Sequence, residues 1–144
     1  MTPLDIMKQP AAYANGYEKM PSEAQNHAKQ LCWEYNHTAP NEQEKRHSIL
    51  QELLGTCPPM AGIEPDFHCD YGFNIHMHGF AFLNYNCVIL DTSPVNIGAG
   101  AFIAPGVCLM PSIRNSAVRV SGRQPLLRLK KMYGLVRMLL SAAV

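Results

Sequence analysis

Aliphatic or small residues recur every six positions at Cys69, Ile75, Ala81 and Cys87, and again at Ile97, Ile103 and Leu109. A six-residue period belongs to repeat architectures in which each short strand turns a corner and stacks on the coil below. Ile97-Gly-Ala-Gly-Ala-Phe followed by Ile103-Ala-Pro-Gly-Val-Cys is the cleanest pair. Each begins with an aliphatic residue and continues with small residues that let the chain turn. The fifth place of each holds a small or branched residue, Ala101 and Val107. Cys87 and Ile97 are ten positions apart, so about four residues are expected to loop out near Asp91-Thr92-Ser93-Pro94. A β-sandwich of period-two strands is the alternative, and the glycine spacing fits it poorly.

The pattern divides the chain into three zones. Residues 1–57 read as helical. Ser22 is a candidate N-cap after Pro21. Ala24, Ala28, Leu31, Cys32 and Tyr35 then recur at spacings of three and four, which makes one apolar stripe. His37-Thr38-Ala39-Pro40 breaks that helix. Asn41 with Glu44 reads as a capping box for the next, Ile49, Leu50, Leu53 and Leu54 supply its buried face, and Gly55 is placed to end it. Pro58 and Pro59 mark a linker into the hexads of 58–109. After Leu109 the period vanishes, and the tail, 110–144, is basic and rich in Leu and Met. Leu126, Leu127, Leu129, Met132, Leu135, Val136, Leu139 and Leu140 can form an apolar helix face edged by Arg128, Lys130, Lys131 and Arg137.

Composition narrows the classes. The length of 144 residues suits one domain with a real core. Charged residues make up 16% and the formal net charge is +1, so no global field points to nucleic acid. MTPLDIMKQP has no apolar h-region, and no stretch approaches the roughly 20 apolar residues that span a bilayer. The five cysteines are odd in number and form no CxxC pair. Three lie at or beside hexad core positions, where a free thiol acts as a small hydrophobe. They read as reduced and the protein as cytoplasmic, against the alternative of a zinc or disulfide framework. His76 and His78 share one face of a strand, but no third and fourth ligand is evident, so no metal is expected.

Trp33-Glu-Tyr-Asn-His37, Ile63-Glu-Pro-Asp-Phe67, Cys69-Asp-Tyr-Gly-Phe-Asn-Ile75, Asn84-Tyr-Asn-Cys-Val-Ile-Leu-Asp91 and Ile97-Gly…Ile103-Ala-Pro-Gly-Val107 stand in one order. That set resembles the maltose/galactoside O-acetyltransferase family of hexapeptide-repeat acyltransferases, over roughly residues 12–109. The resemblance implies a mixed α and β fold: a helical N-terminal segment packed on a partial left-handed parallel β-helix, followed here by an irregular or helical basic tail. It implies acetyl transfer from acetyl-CoA to a sugar hydroxyl, and a homotrimer with active sites between subunits.

Such chemistry needs a neutral imidazole to take the proton of a poorly nucleophilic hydroxyl, donors for the oxyanion, and amides or carboxylates to orient the sugar. By resemblance, Asn84 and Asp70 sit where the family contacts its acceptor. A turn-stabilising role is the alternative for Asn84, and a corner carboxylate bonded to amides for Asp70. Asp91 either joins that site or holds its corner. Where the family often carries an Asp and an Arg, this chain has Asn15 and Gln25. The catalytic histidine is expected just after Val107, in a segment resembling Tyr-x-x-x-His-Pro. Here Cys108-Leu-Met-Pro-Ser-Ile-Arg114 follows, and no histidine occurs after His78.

The genetic code offers a reason. With one base lost in the Leu109 codon, the neighbouring frame can read Leu-Tyr-Ala-x-His-Pro, one residue shorter than the motif. From Leu126 to Ser141 it can read Val-Thr-Ile-Glu-Glu-Asp-Val-Trp-Ile-Gly-Ala-Asp-Val-Val-Ile, again hexapeptide sequence. The tail is therefore expected to be frameshifted or truncated relative to the family. Two functions follow: a sugar O-acetyltransferase by ancestry whose chain lacks its catalytic histidine and most of the acetyl-CoA groove, and is inactive; or a non-catalytic module that binds a sugar or an intact paralogue.

Overall fold

The computed structural model describes residues 21–110 and 118–120. Two helices, α1 (Ser22–His37) and α2 (Gln43–Leu53), precede nine short strands. The strands are β1 (Gly62–Ile63), β2 (Phe67–Cys69), β3 (Ile75–His78), β4 (Ala81–Leu83), β5 (Cys87–Ile89), β6 (Val95–Gly98), β7 (Ala101–Ile103), β8 (Cys108–Leu109) and β9 (Val118–Val120). Each of β1 to β6 pairs in parallel with the third strand after it. Three sheets result, β1-β4-β7, β2-β5-β8 and β3-β6-β9. The chain therefore runs as a three-sided coil with a sheet on each side.

The hexad residues point inward. Ile75, Ala81 and Ile97 have no exposure, and Cys69, Cys87, Ile103 and Leu109 are also buried. The period does not set the pitch alone. Ile75 pairs with Val95 and Ala81 with Ala101, so one coil takes 20 residues. The inward steps from Ile75 are six to Ala81, six to Cys87 and eight to Val95, because the corner after β5, residues 90–94, is two residues longer than the corner after β4, residues 84–86. The loop-out expected near Asp91 is accordingly a regular corner. Residues 90–94 match 70–74 of the coil before, with Cys69 paired to Ile89 on one side and Ile75 to Val95 on the other.

The helices cap the coil, with ends that differ from the sequence reading. Pro21, not Ser22, is the N-cap of α1, and α2 starts at Gln43 with Glu42 before it. Glu42 turns its carboxylate back to accept from the Ala39 amide at 3.2 Å. Ala28, Leu31, Cys32 and Tyr35 are buried as the stripe predicts. Gly55 has a different task from ending α2: a Cβ there would stand 2.2 Å from the Phe73 carbonyl, so the glycine admits close backbone approach between the helical cap and the 70–74 corner.

Regular structure does not end at Leu109. Val118–Val120 pairs in parallel with Val95, Asn96 and Ile97. The offset there is 23 positions rather than 20, so three residues are added between Leu109 and β9. The rest of the 110–144 tail beyond Met110, and Asn15, lie outside the described residues.

Candidate acceptor-binding corners

The coil has three columns of corners, and the expected site residues fall on two of them. Asp70 and Asp91 occupy the column between the second and third sheets. Asn84 occupies the column between the first and second sheets.

Asp91 is fully buried. One carboxylate oxygen accepts from the amides of Asp70 at 3.0 Å and Tyr71 at 2.9 Å, and the other from the Asn74 amide at 3.3 Å. The Asn74 side-chain amide donates back to the Asp91 carbonyl at 2.9 Å. Burial pushes the carboxyl up to about 6, against those amides, which favour the charge. Of the two roles left open for Asp91, this geometry supports the corner-holding one. With no exposed surface in this chain, its carboxylate is taken up by the corner amides.

Asp70 is half-buried at the junction of α1 and β2. Its carboxylate accepts from the Gln25 side-chain amide at 3.4 Å, across 45 positions of sequence. Burial raises its carboxyl above the usual range, while Gln25 and Lys29 pull the other way. The structure thus joins two residues singled out separately. The same helix is also tied to β2 by Asn36, whose side chain both donates to the Phe67 carbonyl at 3.0 Å and accepts from the Phe67 amide at 2.9 Å. Sequence reasoning missed Asn36. Its signal is its place on the same helix face, four positions from Cys32, inside the quoted Trp33–His37 run.

Asn84 is half-exposed, and its side-chain oxygen accepts from the Tyr85 amide at 2.9 Å. The amide of Gly106 donates to the Tyr85 carbonyl at 2.8 Å, which ties this corner to the Ala104–Val107 corner above it.

The six histidines sit elsewhere. His27 pairs with Glu52 at 3.3 Å, and His37 bonds the Trp33 carbonyl at 2.8 Å. His76 contacts the Thr56 hydroxyl at 3.1 Å and His78 the Asn96 side-chain oxygen at 2.9 Å. His68 is exposed on β2. His47 is half-buried with its Nε2 unpartnered. It lines a cavity of about 440 Å³ together with Arg46, Tyr35, Glu44 and Glu64. Among the described residues no histidine bonds Asn84, Asp70 or Asp91, and no group of three or more His, Cys, Asp or Glu is placed to hold a metal. No helix among them is long and apolar enough to cross a membrane.

Residues 18–58 match the maltose acetyltransferase hexapeptide capping motif. The chain is 51% identical over 73 residues to nodulation protein L of Rhizobium meliloti (strain 1021), covering 51% of this chain and 40% of that protein. It is similar to a solved maltose O-acetyltransferase from Clostridium difficile 630, with a TM-score of 0.59 and 36% identity over 60% of this chain and 46% of that one. A galactoside acetyltransferase solved in complex with coenzyme A gives a TM-score of 0.53 and 36% identity over 58% of this chain and 42% of that one. The chain spans about two fifths of the length of the curated relatives it matches.

Proposed function

We propose that this chain, a relative of the hexapeptide-repeat acetyltransferases of the maltose and galactoside kind, carries the acceptor side of an acetyl-CoA-dependent sugar O-acetyltransferase. The observation that carries the reading is the Gln25–Asp70 pair. It is half-exposed, built across the junction of helix and coil, and stands where the resemblance places the acceptor. Asp70 accepts from a sugar hydroxyl while the Gln25 amide positions the carboxylate. Asn84 donates to a sugar oxygen through the side-chain N–H groups that Tyr85 leaves free.

Asp70 and Asn84 stand on different corner columns, which supports a homotrimer in which one acceptor meets two subunits. The outer face of the first sheet supports association too. Phe102 is 71% exposed and meets Phe80 edge-on at 5.6 Å. An exposed aromatic face on one side of a three-sided coil suits packing against another copy. The three parallel sheets and short corners support a left-handed parallel β-helix.

The base is the missing part. Attack on a thioester needs an imidazole at the acceptor hydroxyl, and none of the six histidines bonds Asp70 or Asn84. The reading is therefore an acceptor-binding scaffold that does not complete the transfer as the chain stands. A frame change in the Leu109 codon accounts for the missing histidine. Saturation-transfer NMR with maltose, glucose and a galactoside tests the acceptor reading. Asp70→Asn and Asn84→Ala should each weaken the sugar signal about tenfold while the far-UV spectrum is unchanged. Signal equal to wild type in both variants, or no sugar signal in the wild type, would sink it.

A further inference from the structure

Cys32 on α1 and Cys69 on β2 bring their sulfurs to 3.7 Å across 37 positions of sequence. The contact lies between two clamps from the same helix, Asn36 on Phe67 of β2 and Gln25 on Asp70 at the corner just after it. The two backbones are thus held in register around the pair. An S–S bond of about 2.05 Å requires the sulfurs to close by roughly 1.7 Å, a side-chain adjustment. The other three cysteines have no sulfur neighbour among the described residues. Cys87 donates to the Ala104 carbonyl at 3.4 Å, Cys57 reaches the Pro58 carbonyl at 4.0 Å, and Cys108 is half-buried.

We propose that Cys32 and Cys69 are a redox site, converted by a small hydroperoxide into a disulfide that staples the helical cap to the coil. The Cys32 sulfur attacks one peroxide oxygen, the O–O bond breaks, and the departing oxygen leaves with the Cys32 proton as water or an alcohol. Cys32 is then a sulfenic acid. The Cys69 sulfur attacks it, the S–O bond breaks, and water leaves with the Cys69 proton. Two thiols and one hydroperoxide give one disulfide, one alcohol or water, and one further water. Two electrons pass from the sulfur pair to the peroxide.

The order of the steps follows from the contact. Either sulfur can donate in this contact; with Cys69 as the donor, Cys32 is lowered and Cys69, with burial, is raised well above the usual thiol range. Thiolate character therefore resides on Cys32, and thiolates are the nucleophiles. Exposures of 2% and 8% admit only a small, uncharged oxidant.

The test treats the full chain with hydrogen peroxide, alkylates the remaining thiols in urea, and maps the peptides by mass. The expected product links the Cys32 and Cys69 peptides with loss of two hydrogen atoms, reverts with dithiothreitol, and leaves Cys57, Cys87 and Cys108 alkylated. Its thermal midpoint should rise by about 5 °C or more, because the bond closes a long loop. Cys69→Ser should instead stop at an over-oxidised Cys32 with no link. The wild-type map is decisive by itself should that variant fail to fold. Alkylation of both Cys32 and Cys69 after peroxide, or a link from either to a different cysteine, overturns the proposal.

Discussion

Asp91→Asn should make the protein less dependent on pH, with a sign that follows from burial. The Asp91 carboxyl titrates near 6 in the folded chain against an ordinary value of 3.8. That difference corresponds to about 3 kcal/mol. The folded state holds the proton more tightly than the unfolded one. Stability from this group is therefore full below about pH 3.8, falls as pH rises, and is lowest above about pH 6. Roughly half of the loss is reached by about pH 5. Asparagine keeps the shape and does not titrate. It also turns one amide-accepting oxygen into a donor facing the backbone N–H groups of the corner, at a constant cost of about 1–3 kcal/mol. The variant should thus be the less stable protein at about pH 4, and the gap should close or invert by about pH 7.5. Urea unfolding of both proteins across that range, with unchanged m-values, reads the difference directly. A gap that stays constant or widens with pH would show that the three amides outweigh burial, and would refute the reasoning.

Two glycines of positive φ should respond differently to alanine. Gly72 has φ +76 and a Cβ there would stand 2.2 Å from the Leu53 carbonyl, so Gly72→Ala should cost about 3 kcal/mol or more in urea unfolding. Gly106 has φ +71 with open space around it, so Gly106→Ala should cost only about 1–2 kcal/mol; equal losses at the two sites would contradict this. Asn36→Ala removes both side-chain bonds to the buried Phe67 backbone and should cost about 1–3 kcal/mol, with faster amide exchange at Phe67 as its local signature.

What the sequence disclosed follows its periodicities. The helix stripe through Ala28, Leu31, Cys32 and Tyr35 and the inward hexads through Ile75, Ala81 and Ile97 are repeated physical demands, and repetition makes them legible. The 20-residue pitch was hidden because the corner 90–94 carries two residues more than the corner 84–86, which shifts the hexad frame by two positions. Helix ends moved by one or two residues because no side chain caps either N-terminus. At the candidate site, residue type pointed to Asp70 and Asn84 but could not separate a ligand-facing carboxylate from a buried one. Asp91 differs from Asp70 in what surrounds it, namely three amides and no solvent. The Gln25–Asp70 and Cys32–Cys69 contacts each join a helix to a strand about 40 residues on, and no local pattern marks such pairs.

The most direct measurement is release of coenzyme A thiol from acetyl-CoA by the purified chain, followed with a thiol reagent over a panel of maltose, glucose and galactosides. An acceptor scaffold without a base at the attacking hydroxyl should stay at least about 10²–10⁴-fold below an intact maltose or galactoside acetyltransferase assayed beside it. Turnover near that of the intact enzyme, abolished by Asp70→Asn, would contradict the account and require a base among the six histidines.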